Sequence, residues 1–376
     1  MSPARLQPLP RPLRSVDVSV RTETWPRGKI PPPGLSALAG TQQVDIADVL
    51  REVALRTSPP ISLGFSLADC WAWLRYAPAL DMGPGLRLRS EWRDLDPHQK
   101  TIFSDDWGVG LSMHLLDDAL NLANATSTSY FLSQTQNAWL MRSGRRGPSK
   151  SPDFIAQDMT GAVHIIECKG SQSNPATLEK QIEAGRAQKQ NIRFSSAISV
   201  GERLVVASFI PQSHSVFDAL VVIEDPPEDE EEPVLDMSPE EVEEIIVRGE
   251  LASTLRVARL PKLASLVAMN ERGTARNDND VARELTLLSD SKTAGRWAKT
   301  WKAFEQFAYQ VDGSLRSKAV DVEVSLSMDA IDAALDPDAR LANRFPRTKR
   351  TRRADEHGRT VARTSLGLEF AIGVVD

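Results

Sequence analysis

Ser151-Pro152-Asp153-Phe154-Ile155-Ala156 and, after the polar stretch Gln157 to Gly161, Ala162-Val163-His164-Ile165-Ile166-Glu167-Cys168-Lys169-Gly170 decide how this chain is read. Two short apolar runs separated by turn-forming residues predict a β-hairpin. Residues two apart on a strand share a face, so Glu167 and Lys169 project together while His164 and Cys168 point the other way. The hairpin turn returns Asp153 to the carboxylate side. Two carboxylates and a backbone carbonyl, such as that of Cys168, form an oxygen-rich set suited to Mg²⁺ or Mn²⁺, hard cations that also accept phosphate oxygens and water. The Lys169 ammonium would orient that water or offset the charge that develops on a phosphate under attack.

Outward from the hairpin, helix and strand signals alternate. Asp106 to Leu122 reads as a helix, with Leu111, Leu115, Ala119 and Leu122 on one stripe and with Gly108 and Gly110 permitting close approach near its start. Short strands are expected at Tyr130 to Leu132 and at Trp139 to Met141. After the hairpin come a helix from about Pro175 to Asn191 and two strands, Leu204 to Ile210 and Ala219 to Ile223. The order is αβββαββ, a mixed α/β core. Gln181 and Gln188 lie seven residues apart and so share a face of the later helix.

At these residues the sequence resembles the PD-(D/E)xK superfamily of restriction-endonuclease-like nucleases. Its signature, a Pro-Asp at one strand and a Glu-x-Lys on the next, corresponds to Pro152-Asp153 and Glu167-Cys168-Lys169. The resemblance covers about residues 100 to 225. It implies a metal-dependent phosphodiesterase on a mixed central sheet flanked by helices, with Asp153, Glu167 and Lys169 catalytic and Asp153, Glu167 and the Cys168 carbonyl holding the metal. Many members carry an acidic residue on the helix before the sheet, beside a glycine-rich start. In Asp105-Asp106-Trp107-Gly108-Val109-Gly110 the best counterpart is Asp106, a further expected ligand, although a glutamate is more usual there. Some members place a glutamine on the helix after the lysine strand, so Gln188 or Gln181 would hold a phosphate or the metal's water.

The rest of the chain divides around this core. Residues 1–43, with Pro8, Pro10, Pro12, Pro26 and the triplet Pro31 to Pro33, read as a loosely ordered arm. Residues 44–225 are expected to form the nuclease domain with an N-terminal helical extension. Trp71, Trp73 and Trp92 lie among apolar residues and are expected in the core. Residues 226–237 read as an acidic linker, because prolines enclose carboxylates that repel one another. Residues 238–376 are expected to be mainly helical, opening at Ser238-Pro239-Glu240-Glu241 with a capping signature. Leu285 to Phe307 is expected to be helical, with Trp297, Trp301, Phe304 and Phe307 at spacings of three and four. A terminal hairpin is expected after His357-Gly358.

Composition excludes several classes. No apolar run approaches the ~20 residues that cross a bilayer, and the start lacks the apolar segment of a secretory signal, which together predict a cytoplasmic protein without membrane contact. Cys70 and Cys168 are the only cysteines, too few for a disulfide framework or a zinc cluster. The net charge of −6 conceals the acidic run from Glu224 to Glu232, without which the chain is close to neutral. Cations gather at Arg142, Arg145, Arg146 and Lys150, expected to contact nucleic acid, and again from Arg344 to Arg353. The leading expectation is a DNA endonuclease serving restriction, anti-phage defence or repair, as a homodimer or with a partner protein. A catalytically silent nucleic-acid-binding subunit and an RNA nuclease are the alternatives.

Overall fold

The structure, a computed structural model, describes residues 6–7, 13–61, 76, 79–81, 83–135, 151–189, 192–227, 234–289, 297–311, 314–349, 351–354 and 360–375. The basic group Arg142, Arg145, Arg146 and Lys150, the expected strand at Trp139 to Met141, and Trp71 and Trp73 lie outside the described residues.

A seven-stranded mixed sheet organises the first part of the chain, so the protein is α/β with helices on both faces of that sheet. Its elements are β1 (Leu13–Val20), β2 (Gly40–Asp45), α1 (Ile46–Thr57), α2 (Pro97–Leu120), β3 (Leu122–Ser127), α3 (Thr128–Ser133), β4 (Phe154–Asp158), β5 (Val163–Ser171), α4 (Pro175–Lys189), β6 (Val200–Phe209) and β7 (Leu220–Glu224). In space the strands run β2-β1-β7-β6-β5-β4-β3. β4 and β5 form an antiparallel hairpin, with Phe154 opposite Ile166 and Ile155 opposite Ile165. β5 and β6 are parallel, with Glu167 beside Val205 and Lys169 beside Ala207, and a parallel pair needs a crossover, which α4 supplies.

Alternation sorts the two faces. Ile166, Cys168, Leu204 and Val206 belong to the main core with Leu111 and Met113 of α2, whereas Val205, Ala207 and Phe209 pack with Leu178 and Ile182 of α4. Local chemistry sets the ends of α2. Pro97 occupies its first turn, the Asp96 side chain accepts from the His98 N–H at 2.8 Å, and Asn121 closes it in the left-handed conformation (φ 51°), turning the chain into β3.

Several expectations are corrected. The proline-rich arm supplies two sheet strands: Arg14-Ser15-Val16-Asp17-Val18 alternates buried and exposed residues, and the prolines flank this strand without interrupting it. Tyr130 to Leu132 lies in the short helix α3, capped by the Ser127 side chain on Tyr130 N–H, and the preceding Leu122–Ser127 is the strand. Glu224 and Asp225, which open the acidic run ahead of the expected linker, do not belong to a solvated stretch. Both are buried, and Glu224 accepts from Arg186 Nε at 2.8 Å and from Arg21 Nη1 at 2.6 Å.

The remainder contains α5 (Pro239–Val257), α6 (Pro261–Ala268), α7 (Asn279–Ser289), β8 (Trp297–Val311), β9 (Ser314–Ser327), α8 (Met328–Leu335), β10 (Thr351–Ala354), β11 (Thr360–Arg363) and β12 (Leu368–Val375). It is therefore not mainly helical: β8-β9-β12-β11-β10 form a second antiparallel sheet, to which Leu6–Gln7 adds on β12. Leu285 to Phe307 was expected as one helix, but its second half is strand. Trp301, Phe304, Phe307 and Tyr309 are strand-favouring aromatics, and a register shift between Lys299 and Trp301 breaks the period-two pattern. Val311 pairs with Ser314; the Asp312-Gly313 between them is a composition favoured in tight hairpins.

Nor does residue 226–237 mark a break in packing. Buried residues from Val16 to Phe370 belong to one cluster. At the seam, Arg56 of α1 pairs with Glu250 of α5 and also donates to Ala125 O at 2.8 Å, while Glu250 Oε2 accepts from Ala125 N at 3.1 Å. The Tyr130 hydroxyl donates to Ala268 O at 2.9 Å. No helix among the described residues is long and apolar enough to cross a membrane.

Candidate active site

Two glycines set the position of the site. Gly108 of α2 lies directly on Gly170 of β5: a Cβ on Gly108 would stand 2.7 Å from Gly170 Cα and N, and one on Gly170 would collide with the Ser104 carbonyl. Helix and strand backbones therefore touch at the end of the Glu-x-Lys strand. One turn before Gly108, Asp105 is carried toward the carboxylates, where it feels the charges of Lys169 and Asp153.

Asp106, one helical step on, faces elsewhere. Its Oδ2 accepts from the Tyr76 hydroxyl at 2.5 Å, so of the two adjacent aspartates it is Asp105 that lies toward Lys169 and Asp153. The sequence carried the signal, since Asp105 is three residues before the glycine that makes the contact.

Asp153 precedes β4, and its Oδ2 accepts from the Cys168 N–H at 2.8 Å. A strand residue's C=O leaves on the same edge as its N–H, which puts the Cys168 carbonyl on the Asp153 side of β5. Glu167 is fully buried and ion-paired with Lys169, while its second oxygen, Oε2, is buried without a hydrogen-bond partner. On the other side, Gly185 of α4 makes room for both side chains: a Cβ there would lie 2.9 Å from Val205 Cγ1, 3.4 Å from Glu167 Cγ and 3.7 Å from Lys169 Cε. A glycine inside a helix costs about 1 kcal/mol relative to alanine, and this one lets α4 close over Glu167 and Lys169. Its role was missed in the sequence, where the mid-helix glycine was the available cue.

Burial dominates the electrostatics. It pushes the Glu167 carboxyl up to about 8, with the Asp153 charge adding to the rise and Lys169 opposing it. Asp153 is raised mainly by burial, against the Cys168 N–H bond and Lys169. Asp105 rises for the same reason, with Lys169 opposing and Asp153 adding. At Lys169 burial pulls downward, but Glu167 and Asp153 together outweigh it and hold the ammonium above its usual range. The Cys168 thiol is buried and raised, which suits a backbone role and not a nucleophile.

The expected glutamines divide. Gln181, one turn before Gly185, lines a cleft beside the carboxylates, and its buried Oε1 has no hydrogen-bond partner. Gln188, one turn after Gly185, is half-buried on the same side of α4 and does not line that cleft. His164 is buried on the opposite face of β5, where Nδ1 accepts from Glu202 N at 3.0 Å and Nε2 stands 3.4 Å from Asp158 Oδ2.

Among the described residues, no group of three His, Cys, Asp or Glu side chains is arranged as a metal cage. What the structure brings together is the buried Glu167 carboxylate, the half-buried Asp153 and the Lys169 ammonium, with Asp105 on the neighbouring helix near enough to feel the charges of Lys169 and Asp153. Comparison of the chain with models of known families, with curated proteins and with solved structures finds no match.

Proposed function

We propose that this chain is a metal-dependent nuclease of the PD-(D/E)xK class that hydrolyses phosphodiester bonds in DNA. The observation that carries this reading is the meeting of Asp153, Glu167 and Lys169 across one hairpin, with Glu167 Oε2 buried and lacking a partner. A buried carboxylate oxygen without a donor is costly, and a divalent cation would satisfy it in place of the proton that the raised Glu167 carboxyl otherwise keeps.

Asp153, Glu167 and the Cys168 carbonyl fit Mg²⁺ or Mn²⁺ by donor chemistry, all three being hard oxygens. When bound, such a cation polarises a phosphate and lowers the pKa of a water. Lys169, held in place by Glu167, presents a fixed positive charge toward the oxygens that become more negative during attack. Asp105, raised by its surroundings, is positioned to accept a proton or a hydrogen bond at the mouth of the site. The remainder of the chain, braced to the sheet through Arg56 and Glu250, would present the target or a partner protein. A place in restriction, anti-phage defence or repair, in the cytoplasm, follows by analogy with the class.

The test is cleavage of plasmid, linear duplex, single-stranded DNA and RNA with Mg²⁺ or Mn²⁺, comparing the wild type with Lys169→Ala. Metal-dependent cutting that disappears in the variant is the expected result. Absence of cutting on every polymer by a folded wild type would overturn the catalytic reading and favour a binding subunit.

A further inference from the structure

Beside the carboxylates lies an open cleft of about 730 Å³, within the size range of small-ligand sites. One wall is the first turns of α2, with Lys100, Ser104 and Asp105; the other is the loop from Pro211 to Asp218 that joins β6 to β7. That loop exposes two large apolar side chains at the rim, Val216 at 88% and Phe217 at 50%. Both side chains are thereby available to an apolar face of a ligand in the cleft.

Both walls are braced, so the cleft is preformed. Ser213 N donates to Leu88 O at 2.7 Å, Leu88 N donates to Pro211 O at 2.8 Å, and Arg87 bonds both Ser215 O (2.8 Å) and Asp218 (2.5 Å). On the other side, Gln172 accepts from Trp92 Nε1 at 2.9 Å and donates to Lys100 O and Ser104 Oγ. The lining between the walls is chiefly amide and hydroxyl, and the Gln181 Oε1 acceptor there has no hydrogen-bond partner. Cations are few: Lys100 spends its ammonium on Arg93 O, leaving His214 as the other basic group in the lining.

An aromatic side chain on a braced loop, the Gln181 amide oxygen without a partner and scarce cations suit a nucleobase better than a run of phosphates. Within a duplex both faces of every base are already stacked, and no ring is open to Phe217. Starting from the nuclease reading, we propose that this cleft holds one unpaired nucleotide of the strand to be cut, its base stacked on Phe217 and its polar edge facing Gln181. The substrate class is therefore single-stranded DNA, or a duplex with an unpaired end or flap, and not a continuous closed duplex.

The experiment uses the full chain, a single-stranded oligonucleotide carrying one 2-aminopurine, and a closed circular duplex. Stacking on an aromatic ring quenches 2-aminopurine, which gives a readout independent of cutting. Expected results are quenching on binding to Lys169→Ala with Mg²⁺, loss of that quenching in Lys169→Ala/Phe217→Ala, and about tenfold weaker binding of the oligonucleotide by the double variant. With the otherwise unaltered enzyme, Phe217→Ala should raise KM on the single strand with kcat unchanged, and Phe217→Trp should restore it. Quenching that persists without Phe217, or a closed duplex cut as efficiently as the single strand, would overturn the assignment. Quenching that depends on Phe217 in a protein whose wild type cuts nothing would support the nucleotide site while removing the nuclease reading.

Discussion

Gly108 on α2 rests against Gly170 on β5 with no space for a side chain on either, and this contact, rather than any polar one, determines which carboxylate of α2 reaches the site. Gly108→Ala places a methyl 2.7 Å from backbone atoms that have no flexible end to move. Overpacking of this kind costs about 1–3 kcal/mol. We expect urea unfolding to show a loss in the upper part of that range, and cleavage to fall further than stability because Lys169 is the residue next to the contact. A variant as stable and as active as the wild type would show that the helix does not sit as described.

Arg56 and Glu250 couple the first part of the chain to the second across a seam without solvent. Removing one member of a buried ion pair costs about 3–5 kcal/mol when the other is left uncompensated; Arg56 keeps Glu52 as a second carboxylate partner at 3.1 Å, which places Glu250→Ala at the lower end. Glu250→Ala also deprives Ala125 N of its acceptor. Expected is a loss of at least about 3 kcal/mol in denaturant unfolding, with one transition for the whole chain. Two separate transitions, with only the later one shifted, would mean that the seam is not a shared core.

The parts legible in the sequence are those whose determinants are local. Asp153, Glu167 and Lys169 lie within one hairpin whose register follows from alternation alone, so their meeting could be read without the fold. Ser238 likewise caps α5 as its sequence signature implies, with Glu241 completing the reciprocal bond. The misreadings depended on distant contacts. That Asp105 is the aspartate of α2 turned toward Lys169 follows from the rotation of α2 about its axis, which only the contact with Gly170 reveals. The strand Leu13–Val20 is short, bounded by prolines, and recognisable only once β7 offers its edge. The aromatic spacing in Trp297 to Phe307 satisfies a helix and a bulged strand equally well, and pairing with β9 decides between them.

The two adjacent aspartates on α2 are experimentally separable. Asp105→Asn removes a charge next to Lys169 and Asp153 but breaks no bond in the core, so we expect cleavage to drop by at least about tenfold with unfolding unchanged. Asp106→Ala loses the Tyr76 hydroxyl bond and should cost about 1 kcal/mol of stability, while Asp106→Asn, which can still accept that bond, should cleave nearly as well as the wild type. Cleavage assays beside thermal melts on the three variants are sufficient. If Asp106→Asn were inactive and Asp105→Asn active, the helix ligand would return to Asp106.

Glu167 makes the site sensitive to pH in a direction that depends on the metal. Burial, then Asp153, raises its carboxyl to about 8 from an ordinary 4.5. Between those values the folded chain keeps a proton that the unfolded chain releases, so stability falls as pH rises, and the contribution is gone above about 8. The drop should be on the order of 3 kcal/mol in the metal-free protein, and Glu167→Gln should flatten it. A divalent cation binds the ionised form and competes with that proton. Cleavage should therefore rise toward pH 8, with a midpoint that moves to lower pH as Mg²⁺ is raised. Rate profiles at two Mg²⁺ concentrations measure this directly, and a midpoint that stays fixed would remove Glu167 from the metal's ligands.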